Sequence, residues 1–178
     1  MRLAVATLLS FTLVATSHAD EHPSFAYETT QLTADDIRTF PDIGPATGSP
    51  KTEAECRAFP GTTDWPTEVE WRQLNASLGG ALLHPVPAAA ACYPGAYQDD
   101  SKCAALVASQ LITRAHFEDP LALSTQWPAG NPCPVAAQPT GNCTQGGLPV
   151  YVVNATSVRQ IQMAVNFARN KNLRLVVK

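Results

Sequence analysis

Five cysteines and three Asn-X-Ser/Thr triplets are the residues whose types and spacing point to chemistry in this chain. It is chemistry of covalent framework rather than of turnover. Cys92 and Cys103 enclose one short segment, and Cys133 and Cys143 enclose a second that is rich in proline. Closing loops of that length stabilises by about 2–3 kcal/mol each where the bridge is unstrained. These two pairs are the favoured pairing, although any four cysteines allow three. Cys56 is then odd, and either pairs with a cysteine outside this chain or stays a thiol. Asn75, Asn142 and Asn154 each open an N-glycosylation acceptor triplet. Cysteines and triplets agree on an oxidising, glycosylating secretory compartment.

No side-chain pattern supports a reaction centre. His18, His22, His84 and His116 are scattered without zinc-ligand spacing, so no metal ligand is assigned. Neither a G-x-G-x-x-G nor a phosphate-loop pattern occurs, and no G-x-S-x-G elbow accompanies the serines. The carboxylate pairs Asp35-Asp36, Asp99-Asp100 and Glu118-Asp119 are adjacent in sequence and point in different directions on a helix. They read as helix starts and solvated turns. Trp71 sits on a helical stripe and reads as core, while Trp65 and Trp127 precede prolines in turns. Catalytic and cofactor-binding residues are therefore assigned to no position. The formal charge of −3, with no cluster of Lys or Arg, gives no support to nucleic-acid binding, and no nucleic-acid partner is expected.

The elements that position these residues fall into four stretches. Residues 1–19 read as a secretory signal peptide: Arg2 is basic, Leu3 to Val14 is apolar, and Ser17-His18-Ala19 is a small-residue cleavage site. That apolar run is too short to span a bilayer, so no membrane span is expected. Residues 20–55 form a polar lead-in, with a short helix near Ala34 to Phe40, Thr33 as its N-cap, and linker signals at Gly44-Pro45 and Ser49-Pro50. Residues 56–148 form a disulfide-pinned helical and loop segment. Fifteen prolines and ten glycines, many of them before Pro149, imply a thin core there. Thr67 and Glu70 have capping-box spacing at the start of a helix carrying Trp71, Leu74 and Leu78 on one face, ended by Gly79-Gly80. A third helix starts at Asp99 or Asp100 and carries Cys103.

Residues 149–178 read as strand, capped helix, strand. Ser157 and Gln160 have capping-box spacing, which starts the helix at Val158. Val158, Ile161, Ala164, Val165 and Ala168 make one stripe, with Met163 and Phe167 on a separate flank that reads as packing. A helix apolar on two flanks is usually covered on two sides. Tyr151 to Val153 and Leu173 to Val177 suit neighbouring parallel strands of a βαβ unit. The fold class is thus α+β or α/β, with this unit opening a larger α/β domain.

From about Cys56 to Lys178 the chain resembles fungal secreted FAD-linked oxidases of the vanillyl-alcohol-oxidase superfamily. These carry a PCMH-type FAD-binding domain and include berberine-bridge-like and isoamyl-alcohol-oxidase-like proteins. The markers are Cys56-Arg-Ala-Phe-Pro-Gly, Trp65-Pro-Thr-Glu-Val-Glu-Trp-Arg-Gln-Leu-Asn, Leu78-Gly-Gly, Cys92-Tyr and Cys103-Ala-Ala-Leu. Pro149-Val-Tyr-Val-Val-Asn-Ala-Thr-Ser-Val and Asn172-Leu-Arg-Leu-Val-Val-Lys complete the series, in the same order and spacing. The resemblance implies FAD as cofactor and two-electron oxidation of a small-molecule alcohol, sugar or secondary metabolite, with oxygen as acceptor. It also implies that the flavin-binding turn follows Lys178. No family catalytic or flavin-binding residue maps onto this chain, which is expected to be a truncated, inactive form. Some relatives have cysteines where this chain has Ala58 and Asp64, which leaves Cys56 without a local partner.

The alternative reading is a small secreted, disulfide-rich binding protein without cofactor. The nucleotide sequence separates the two: flavin-turn codons beyond Lys178, in any frame or past an intron, are expected on the first reading. Their absence there would favour the second.

Overall fold

The computed structural model describes residues 25–46, 56–109, 118–121 and 130–178. The signal peptide, the Ser49-Pro50 linker signal, His22, His116 and Trp127 lie outside them. The chain divides into two units. In the first, residues 1–30, a single 3-10 turn at Ala26–Thr29 follows Phe25, whose ring stacks on Tyr27 at 5.3 Å.

The second unit, residues 31–178, carries helices α1 (Ala34–Thr39), α2 (Glu68–Ser77), α3 (Asp100–Ser109) and α4 (Val158–Asn170). Two short strands join them, β1 (Leu82–Leu83) and β2 (Val152–Val153). Local chemistry starts each helix. Thr33 accepts from the Asp36 amide while the Asp36 carboxylate takes the Thr33 amide at 2.8 Å. Thr67 and Glu70 repeat the arrangement at α2, with 2.7 Å between the Thr67 amide and the carboxylate. Asp99 receives the Lys102 amide at 2.9 Å and so opens α3. Helix α2 ends at Gly79 and Gly80, whose φ angles of 67° and 87° any other residue adopts with strain.

The start of α4 departs from the expected box. Ser157 accepts from the Gln160 amide, but the Gln160 carboxamide oxygen takes the Thr156 amide at 2.8 Å. Its nitrogen donates to the Leu78 carbonyl at 2.8 Å, tying the start of α4 to the end of α2. A glutamine supplies both donor and acceptor, and the structure uses both.

The core sits where α2, α4 and the residues after α1 meet. Phe40, Ile43, Trp71, Leu74, Leu78, Met163 and Phe167 are all buried. Phe167 is 1% exposed and lies between Trp71, at 5.2 Å, and Phe40, at 5.8 Å. Phe40 and Ile43 thus bring part of the polar lead-in into the core. Asn166 and Asn170 fasten that part by donating to the carbonyls of Ile43, Asp42 and Gly44. A second cluster holds Ala89, Tyr93 and Cys133 against Cys92, Val135 and Cys143.

The parallel βαβ pairing is corrected. β2 pairs antiparallel with β1, Leu82 opposite Val153 and Leu83 opposite Val152. Leu173 makes one isolated parallel bridge, to Ala58, and residues 174–178 form no strand. Asn172 turns the chain at φ 55°, where its carbonyl accepts from the Ala58 amide at 3.0 Å. Beyond it Leu175, Val176 and Val177 are exposed, and the β-branched Val176 and Val177 meet no ladder among the described residues. The two flanks of α4 also differ. Met163 and Phe167 are buried, while Ile161 and Val165 of the longer stripe face solvent at 51% and 41% exposure.

Truncating Phe167 to Ala should cost about 3–5 kcal/mol, because it empties the centre of the aromatic core. Val177→Ala should stay within about 0.5 kcal/mol. Urea unfolding of both variants beside the parent chain checks the pair.

Candidate functional site

The best-organised polar site lies at the end of α4, where Lys171 reaches back across the core. Its ammonium meets Asp42 at 2.7 Å and Glu70 at 2.5 Å, joining the turn after α1 to the first turn of α2. The Lys171 hydrogen bond, followed by the Thr67 amide, holds the Glu70 carboxyl down at about 2. Burial works against the charge on Lys171, but its bonds to Asp42 and Glu70 outweigh that and raise its pKa. One residue on, Asn172 donates to the Cys56 carbonyl at 2.8 Å and accepts from Arg57 at 2.9 Å. Lys171 and Asn172 therefore fix where the segment 173–178 leaves the body.

Beside this node runs a row of rings. His84 lies over Tyr151 at 4.9 Å, Tyr151 over Trp71 at 3.9 Å, and Trp65 meets Trp71 at 5.4 Å. Burial and then the nearby Glu68 charge raise the Tyr151 phenol. The Trp71 ring nitrogen is buried with no hydrogen-bond partner among the described residues. This row is core and rim of core. It offers no nucleophile with a base, and His84 has no carboxylate partner among the described residues.

The residues described do not fit an FAD site. Neither of two clefts among the described residues, of about 330 and 660 Å³, is lined by a Lys, Arg or His that could meet a pyrophosphate. Gly79, Gly80, Gly95 and Gly141 have positive φ, yet a Cβ at each would meet nothing within 4 Å. They are turn glycines and not a close-approach cradle. No cluster of three metal-ligating side chains occurs among the described residues, and no described helix is long and apolar enough to cross a membrane.

The covalent framework is arranged as its spacing suggests. Cys92 and Cys103 are bonded with Cα atoms 4.8 Å apart, and Cys133 and Cys143 with theirs 4.3 Å apart. Cys56 is exposed and free. Asn75 is half-buried and its carbonyl accepts from the Leu82 amide at 3.1 Å, whereas Asn142 and Asn154 are exposed. The Lys171 node escaped sequence reading, since Asp42, Glu70 and Lys171 are far apart along the chain and carry no motif.

No protein-family model matches the chain. It is 37% identical over 126 residues to the FAD-linked oxidoreductase apf9 of Gibberella fujikuroi, covering 70% of this chain and 21% of that protein. The crystal structure of the VAO-type flavoprotein MtVAO615 from Myceliophthora thermophila matches with a TM-score of 0.62 at 34% identity, over 70% of this chain and 23% of that one. The VAO-type flavoprotein MtVAO713 from the same fungus gives 0.63 at 31% identity, over 68% and 22%. Its homologues are FAD-linked oxidoreductases and VAO-type flavoproteins. The chain spans about a fifth of the length of the curated relatives it matches. FAD thus belongs to the family of these homologues.

The Lys171 node predicts an acid limb in stability. The depressed Glu70 carboxyl contributes fully above its ordinary value of 4.5, and that contribution is lost as pH falls towards about 2. Lys171 contributes below its ordinary 10.5 and loses its share only as pH rises through its raised value. Urea midpoints between pH 5 and 2, a window of roughly the Glu70 shift, should fall less steeply for Glu70→Gln than for the parent. Lys171→Met should cost about 1–3 kcal/mol at neutral pH. Equal slopes for parent and Glu70→Gln would remove Glu70 from the acid limb.

Proposed function

We propose that this chain supplies framework for a secreted FAD-linked oxidase, on which the flavin-bearing and substrate-bearing parts of a complete enzyme are built. What supports this most is the coincidence of likenesses: sequence and fold agree with the same flavoproteins over the same share of the chain. FAD would supply the redox chemistry of the complete enzyme, a two-electron oxidation of an alcohol, sugar or secondary metabolite with oxygen as acceptor. Its substrate is a small molecule, and its setting is fungal secondary metabolism. None of the described residues is given a step in that reaction. On this reading the 178 residues alone neither retain FAD nor turn over substrate. The product is extracellular or lumenal, with residues 1–19 removed as a signal peptide and no nucleic-acid partner.

A second reading, a small disulfide-rich binding protein without cofactor, draws support from the closed aromatic core around Phe167. A graft separates the two. Residues 56–178 of this chain would replace the matched segment of MtVAO615, and the purified graft would be assayed for bound flavin by its absorbance. A yellow graft is expected, beside a colourless full chain that loses added FAD on gel filtration. A folded but colourless graft would favour the binding protein. A full chain that keeps FAD unaided would overturn the framework assignment.

A further inference from the structure

The larger cleft, of about 660 Å³, falls within the size range of small-ligand sites, roughly 300–1,000 Å³. Its walls come from residues 86–97 on either side of Cys92 and from residues 141–145 around Cys143, so a half-cystine of each disulfide anchors one wall. Tyr93 is spent on that framework: its ring is buried and its hydroxyl donates to the Pro134 carbonyl at 2.9 Å. Tyr97 is not. It lines the same cleft with 61% of its surface exposed, and its hydroxyl has no partner among the described residues. An aromatic ring left bare on a cleft wall is a platform for an amphipathic ligand.

Asn142 lines the cleft too, and so does Thr144, which completes its acceptor triplet. The three triplets differ in what their side chains already do. Asn75 is half-buried on α2 with its carbonyl taken by Leu82. Asn154 is exposed, but the Thr156 hydroxyl of its triplet donates to Gln160 at 3.2 Å. The Asn142 carboxamide and the Thr144 hydroxyl are exposed, and neither side chain has a partner among the described residues.

From this we infer that Asn142 carries an N-linked oligosaccharide whose first N-acetylglucosamine lies in the cleft against the Tyr97 ring. The inference rests on the secretory reading proposed above. In the transfer, the Asn142 amide nitrogen bonds to C1 of the sugar of a lipid-linked diphospho-oligosaccharide. The C1–oxygen bond breaks, the lipid diphosphate leaves with the electron pair, and the amide gives up one proton. The sugar's C–H face then covers the apolar ring, while its N-acetyl and hydroxyl groups face the open mouth of the cleft. An occupant tethered in the wall needs no separate recognition.

The full chain would be expressed in a glycosylating fungal host. Occupancy at each triplet would be read by mass spectrometry, in cell lysate and in medium. Asn142 should be occupied, and Thr144→Val should abolish that occupancy. An endoglycosidase that cuts within the chitobiose core should release the Asn142 glycan from native protein about fivefold more slowly than from Tyr97→Ala, the factor an ordinary aromatic contact supplies. Tyr97→Phe should behave as the parent, since it keeps the ring. The exposed Tyr97 carries little of the fold, and an intact Cys92–Cys103 bond in each variant checks that. A secreted chain bare at Asn142 would overturn this inference alone. Equal release rates for parent and Tyr97→Ala would also overturn it, and would leave the cleft to a polypeptide partner. A chain that never enters the secretory pathway would overturn the secretory reading, and this inference with it.

Discussion

The arrangement depends on one contact: the ring of Phe167, held between Trp71 and Phe40. Burying a phenylalanine supplies about 1.5–3 kcal/mol, and each well-set ring pair adds about 0.5–1.5. More important is what the contact joins. Trp71 belongs to α2, Phe40 ends α1, and Phe167 belongs to α4, so three segments distant in sequence are fixed by one side chain. The polar fastenings then fall into register around it. Asn166 and Asn170, one position before and three after Phe167, reach the carbonyls of residues 42–44. Lys171, the next residue, closes on Asp42 and Glu70. A helix rotated out of this setting would lose ring, amide and ion-pair contacts together.

What could be read from the sequence follows the range of the interaction. Thr33 as an N-cap, Thr67 with Glu70, and the glycines after α2 all act within one helical turn, and the structure has them as read, adding Asp36 as the partner of Thr33. The two disulfides close short loops and were legible for the same reason. The strand pairing was not. Val153 meets Leu82 from far along the chain, and nothing near Leu82 marks it as a strand. Gln160 shows the boundary clearly: its box spacing with Ser157 was visible, but not that its carboxamide would serve Thr156 and Leu78. The family likeness was legible through ordered short motifs, yet no residue of a reaction centre came with it.

That division bears on how such a framework relates to a flavoenzyme. Flavin sites need backbone amides converging on a pyrophosphate, usually with a close backbone approach that only glycine permits. Here Gly61, Gly79, Gly80, Gly95, Gly130 and Gly141, all with positive φ, stand in open turns. The polar groups that do converge are spent on one another, as Lys171 is on Asp42 and Glu70. A group already committed to an internal ion pair is a poor ligand, because freeing it leaves its partners unpaired. The site at the end of α4 is therefore a fastening, and its function is to set the direction in which residues 173–178 depart.

The exposure of Ile161 and Val165 follows from the same contact and is not a separate accident. A helix turns about 100° per residue, so Val165 lies roughly 160° and Ile161 roughly 120° from Phe167 around the axis. No rotation of α4 buries all three against one neighbour. The choice falls to the aromatic flank because Phe167 and Met163 offer more apolar area, and because Trp71 and Phe40 can meet a ring edge or face where they could only touch an isoleucine. The cost is that Ile161 and Val165 stay exposed on α4. A sequence that carries both flanks and buries the large side chains of only one has a conflict between burial and helix geometry, and the ring contact decides which side of the conflict the fold takes.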